Sequence, residues 1–155
     1  MHLQIFPNVP KEWHDEALGA KWDTIRALRR VVTGAMELAR NEKKIGSSLQ
    51  AHPVFYLTEQ YAGLLEGLDF AEICISSGMT YHLSPPAPDP FAELAQSDIF
   101  KLKDVPMCGA VVKLAEGHKC ERCWKVLPEV GQNKSYPDLC WRCTDAVTHL
   151  RKDAA

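Results

Sequence analysis

Between Glu12 and Lys44 apolar residues recur every three or four positions, and Leu18, Trp22, Ile25, Val32, Met36 and Ala39 fall on one stripe. That period predicts a single long amphipathic helix. Lys43 and Lys44 suit its C-terminal dipole, and Gly46 is the residue expected just past its end. At 1.5 Å per residue such a helix would run about 50 Å. It cannot bury its stripe alone. Either a later part of the chain covers it, or the stripe stays open and drives dimerisation or docking.

After Gly46-Ser47-Ser48 the pattern changes. PVFYLTE (53–59) and FAEICISS (70–77) read as short strands, with QYAGLLEGL (60–68) a short helix between them. MTYHL (79–83) continues the second strand or pairs with it. SPPAPDP (84–90) places four prolines in seven residues and reads as a stiff linker or loop. FAELAQSDIFKL (91–102) carries no clear period. GAVVKLAEG (109–117) alternates Val112 and Leu114 against Lys113, a strand pattern that leads into a cysteine-rich segment. The expected fold class is α+β: a long N-terminal helix over 1–47, a small α/β unit over 48–115 and a four-cysteine module over 116–155.

Composition leaves that picture intact. Of 155 residues 46% are hydrophobic and 25% charged, an ordinary globular balance. No apolar run approaches the roughly 20 residues of a membrane helix. MHLQIFPNVPKEW has neither a basic n-region nor an apolar h-region. A cytoplasmic protein without a membrane segment is expected. Net charge is −2, divided as +2 over 1–47, −5 over 48–115 and +1 over 116–155. The two ends are therefore the better places for a polyanion. On the helix a second face carries Arg26, Arg30, Arg40 and Lys44, interrupted by Glu37. It is either an ordinary solvated face or a phosphate-contacting one.

The strongest chemical signal is Cys120-x2-Cys123-x16-Cys140-x2-Cys143. Two-residue spacing turns both sulfurs of a step toward one point, about 2.3 Å from each for zinc, and two steps complete a tetrahedron. A structural zinc is the leading reading, and disulfides or a redox pair are the alternatives. An iron–sulfur site lacks the tighter cysteine runs. A catalytic zinc would keep an open position, and here all four are thiol. Lys119, Arg122, Lys125 and Arg142 sit where they offset thiolate charge. Trp124 and Trp141 adjoin ligand cysteines and are expected to shield them and fill the module. His118 flanks the site. Cys74 and Cys108 read as small buried hydrophobes, and His14 and His149 as surface residues. Phosphate-loop, dinucleotide, zincin and serine-hydrolase signatures are absent from the sequence.

EGHKCERCWKVLPEVG…YPDLCWRC closely resembles the C-terminal zinc finger of bacterial isoleucyl-tRNA synthetases, a finger type shared with formamidopyrimidine-type DNA glycosylases. WHDEALGAKWDTIRALRRVVTGAMELARNEKKIGSSLQA resembles the last long helix of the same enzymes' anticodon-binding domain, and the segment ending in DFAEICISSG is similar to their junction region. The resemblance implies the C-terminal piece of an isoleucine–tRNA ligase, with tRNA-Ile and the remainder of the synthetase as partners. The family's His-Ile-Gly-His and Lys-Met-Ser-Lys-Ser motifs do not occur in the sequence. No catalytic residue is expected, and the chain alone should not aminoacylate. By motif position Cys120, Cys123, Cys140 and Cys143 are the implied zinc ligands. The implied tRNA contacts are Arg26, Arg30, Arg40 and Lys44 on phosphates, with Arg122, Trp124, Lys125 and Arg142 at the anticodon loop. Trp124 packing on the zinc site is the competing role. A free-standing zinc-finger module for nucleic acid or protein is the alternative function, and Met1 before the helix fits a cut fragment or a free-standing paralogue. A glycosylase is rejected because MHLQIF lacks the N-terminal Pro-Glu of that chemistry.

Overall fold

The long helix forms, but shorter than its hydrophobic period suggests. In a computed structural model that describes residues 5, 7–83 and 99–153, helix α1 spans Glu16–Asn41. The Asp15 carboxylate accepts the Leu18 N–H at 2.9 Å and caps it, so residues 11–13 form only a separate 3-10 turn. At the other end Lys43 takes a left-handed conformation (φ +59). The Lys44 N–H reaches the Ala39 carbonyl at 2.9 Å and the Lys43 N–H the Arg40 carbonyl at 3.0 Å. This is a Schellman ending built on lysine. Gly46, the expected terminator, instead donates its N–H to the Gln50 side chain, within a capping box formed by Ser47 and Gln50.

Strands β1 (Ala51–Leu57), β2 (Thr80–Leu83), β3 (Phe100–Leu102) and β4 (Val105–Leu114) make one sheet in the order β2-β1-β4-β3. β1 is central. It runs parallel to β2, with Val54 opposite Thr80, and antiparallel to β4, with Phe55 opposite Ala110. Between β1 and β2 lie α2 (Glu59–Leu65) and α3 (Phe70–Cys74). FAEICISS is thus not the strand its β-rich composition predicts. The Asp69 carboxylate accepts the Glu72 N–H at 3.0 Å and opens a helical turn, and Ile75 closes it in a left-handed conformation (φ +58). Phe70 and Cys74, four apart, are the residues it buries. MTYHL therefore pairs with β1. SPPAPDP and residues 91–98 lie outside the described residues.

α1 lies on one face of this sheet. Ile25, Leu28, Val31, Val32, Ala35, Met36 and Ala39 pack with Ala51, Phe55, Leu57, Val105, Cys108 and Ala110 in one buried cluster. The chain's own sheet thus covers the helix stripe from Ile25 to Ala39, and this part is not open for a dimer partner. Leu18 at the helix start stays half exposed. Gly34 leaves room for the Phe100 ring, since a Cβ there would lie 2.5 Å from Phe100 Cε1. Cys74 and Cys108 are both buried. No helix among the described residues is long and apolar enough to cross a membrane.

Candidate metal centre and nucleic-acid interface

Residues 118–153 form a small unit: a two-stranded ribbon of β5 (His118–Lys119) and β6 (Val126–Leu127), then α4 (Trp141–Asp153). Gly117 enters it at φ +109, with the Leu127 carbonyl group 2.3 Å from where a Cβ would be, so only glycine fits. The first cysteine pair sits in the ribbon's turn. There the Trp124 N–H reaches the Cys120 carbonyl and the Cys120 N–H reaches the Lys125 carbonyl, both at 2.8 Å. The second pair straddles the start of α4.

The two pairs converge. The sulfurs of Cys120, Cys123, Cys140 and Cys143 all lie within 4.8 Å of one another. Cys123 Sγ and Cys140 Sγ are 3.7 Å apart. A zinc–thiolate tetrahedron with arms of about 2.3 Å has edges of about 3.8 Å, so this donor set fits one zinc. The four sulfurs also make up most of the unit's interior, whose other members are Leu127, Val130 and Leu139. Such an interior is too small to hold a fold by apolar burial, and a bound metal supplies the missing stability.

The thiols differ in acidity. Burial pushes Cys120 up, but the backbone N–H groups of Cys123, Cys140 and Arg122 outweigh it and bring it down to about 6. Burial takes Cys140 up to about 12. Burial also raises Cys123. Crowded sulfurs cannot all ionise unaided, and a dication provides the charge that lets four thiolates share this space. The Arg122 guanidinium is 3.8 Å from Cys143 Sγ, and the Cys140 N–H is 3.4 Å from Cys120 Sγ. With every position thiol, the arrangement is structural and leaves no open coordination site for chemistry.

The tryptophans do not shield the site as expected. Trp124 is 61% exposed and Trp141 50%. Trp124 adopts φ +66, and the Lys119 ammonium lies 5.6 Å from its ring centroid. Leu127, Val130 and Leu139 fill the unit in their place.

The basic residues fall into two groups. On α1, Arg26 pairs with Asp23 at 2.7 Å, Arg30 with Asp104 at 2.6 Å and Arg40 with Glu37, while Lys44, beyond the helix end, pairs with Glu42 at 2.9 Å. On the finger, Arg122 and Trp124 lie at the first cysteine pair. Lys125 and Arg142 both turn to Glu72 of α3, whose Oε1 accepts from them at 2.6 and 2.9 Å. The Lys125 side chain is only 13% exposed, so its ammonium serves chiefly to dock the finger on α3. Glu72 carries no local sequence signal for this role. It lies 53 residues before Lys125 and 70 before Arg142.

Residues 117–146 match the family described as the zinc finger found in FPG and IleRS, so the four-cysteine unit is a zinc finger of that class. Beyond the finger, the chain as a whole is homologous to a segment of isoleucine–tRNA ligases. It is 42% identical over 151 residues to the isoleucine–tRNA ligase of Agrobacterium fabrum, an alignment covering 97% of this chain and 15% of that protein. The enzymes of Rhodopseudomonas palustris and Gluconobacter oxydans are also 42% identical, over 95% and 96% of this chain and 14% of theirs. The chain thus spans about 15% of the length of the curated relatives it matches.

Proposed function

We propose that this chain acts as the C-terminal tRNA-binding part of an isoleucine–tRNA ligase, contacting the anticodon stem and loop of tRNA-Ile in the cytoplasm. Cys120, Cys123, Cys140 and Cys143 are the ligands of its one structural zinc. It performs no aminoacylation alone, because it carries none of the adenylate-forming signature sequences. The remainder of a synthetase supplies that chemistry. Residues 1–47, 48–115 and 116–155 correspond to the end of the anticodon-binding helical domain, the junction region and the finger.

The observation that carries the reading is the exposed Trp124, set in the turn of the first cysteine pair with the Lys119 ammonium 5.6 Å from its ring. An exposed aromatic beside a cation suits an unpaired base, which stacks on the ring while its phosphate meets the charge. Arg142 keeps 62% of its side chain exposed while it pairs with Glu72, and is a further candidate for a phosphate. Arg26, Arg30, Arg40 and Lys44 offer a second, weaker phosphate-contacting row. Each is engaged by a carboxylate that a phosphate would have to displace.

Titration of zinc-loaded protein with tRNA-Ile, a non-cognate tRNA and duplex DNA tests the proposal. tRNA-Ile should bind most tightly, and a chelator should abolish that preference. Equal affinity for all three would indicate a generic nucleic-acid module instead.

A further inference from the structure

The finger is fastened to the α/β unit at one short turn. Ser77 is 5% exposed, and its hydroxyl has two partners. It donates to the Leu49 carbonyl at 2.5 Å and accepts the Val126 N–H of β6 at 2.7 Å. The Ser77 N–H meanwhile donates to the Ala51 carbonyl at 3.1 Å, where β1 begins. Five residues earlier, Glu72 Oε1 accepts from Lys125, two residues after Cys123, and from Arg142, between Cys140 and Cys143. One turn therefore holds both halves of the four-thiol cluster from outside the finger. The two cations converge on one oxygen in the same arrangement that brings the two cysteine pairs together, which is also what metal binding requires.

We propose that the turn from Glu72 to Ser77 is a positioning element of the zinc site, so that metal occupancy and the order of the α3–β2 segment are coupled. Coupling of this kind is reciprocal: a turn that favours the closed finger raises zinc affinity, and bound zinc steadies the turn. Glu72 and Ser77 touch no metal and act through Lys125, Arg142 and Val126. The inference goes beyond the tRNA reading and holds whatever the finger contacts.

Ser76 supplies the internal control. It is fully buried in the same turn, and its hydroxyl donates to the Ala71 and Gly78 carbonyls, with no hydrogen bond to the finger among the described residues. Zinc affinity is measured on the full chain by competition with a chromophoric chelator. Ser77→Ala should weaken zinc binding about tenfold, the scale of one buried hydrogen bond left unmade, while Ser76→Ala stays within about twofold of wild type. Equal shifts in both variants, or none in either, would overturn the coupling. Wild-type protein gives a second test that needs no variant. After zinc is stripped with EDTA, the amides of residues 73–77 should exchange at least about tenfold faster, while Phe55 and Ala110 in the central ladder keep their protection. Retained protection at 73–77 would overturn the proposal even if Ser77→Ala failed to fold.

Discussion

Arg30 of α1 and Asp104 of the β3–β4 turn meet across 74 residues of chain, Nη2 to Oδ2 at 2.6 Å. The Arg30 hydrogen bond is also the main reason that the Asp104 carboxyl sits below its ordinary acidity range. Both side chains are more than half exposed, so water and salt screen the pair and hold it only loosely. Opening it for an RNA phosphate is therefore cheap. Asp104→Asn should leave the fold intact and free Arg30. If α1 contacts tRNA, the slope of log K against log salt should then steepen by about one unit. An unchanged slope removes Arg30 from the interface.

Gly34 sits in the middle of α1, where alanine is the better helix former by about 1 kcal/mol. Here the Phe100 ring takes the space, and an added Cβ would lie within 2.6 Å of two ring carbons. Overpacking of this kind costs about 1–3 kcal/mol. Urea unfolding should show Gly34→Ala to be less stable than wild type. Adding Phe100→Leu, which retracts the ring edge, should recover most of the loss. A Gly34→Ala variant more stable than wild type would show that the ring moves aside freely.

Cys74 and Cys108 lie in the main core, away from the metal cluster, and burial holds their thiols up at about 12 and about 11 against an ordinary 9.0. A raised thiol pKa means that the folded state keeps its proton where the unfolded chain has lost it. The sign follows: this contribution to stability is complete below pH 9 and is lost as pH climbs toward 11 and 12. Urea midpoints measured with zinc present should fall between pH 9 and 11. The fall should be shallower in Cys74→Ala/Cys108→Ala, whatever the absolute stability of that variant. Parallel pH profiles would mean that the two thiols ionise inside the fold.

Local pattern carried what local chemistry decides. The stripe from Ile25 to Ala39 and the Cys-x-x-Cys steps could be read directly, because helix period and knuckle spacing are short-range properties. FAEICISS reads as a strand because Phe70, Ile73 and Ile75 favour strands in isolation, whereas the Asp69 cap and the four-residue step from Phe70 to Cys74 favour the helix that forms. α1 ends before Gly46 because Lys43 takes the left-handed position that lysine rarely adopts. Long-range relationships had no signal at all. Nothing near Glu72 announces Lys125 and Arg142, nothing near Arg30 announces Asp104, and the parallel pairing of β1 with β2 appears only once the chain has folded back.

Trp124 separates a structural role from a recognition role. It occupies φ +66, a conformation that costs a residue with a Cβ about 1–2 kcal/mol. The residue is 61% exposed, so the finger recovers little of that cost through packing. For holding zinc alone, glycine would serve at this position. Trp124→Gly should therefore bind zinc as tightly as wild type and unfold within about 1 kcal/mol of it, because relief of the left-handed strain offsets the lost ring contacts. tRNA affinity should fall by about 1–3 kcal/mol, the range for loss of one stacked base on an aromatic. Phenylalanine at 124 keeps a stacking face and should restore part of the affinity. Zinc competition and tRNA titration on the same three proteins provide the test. If Trp124→Gly loses zinc and tRNA together, the ring is a structural part of the finger. If it loses neither, the base-stacking surface lies elsewhere.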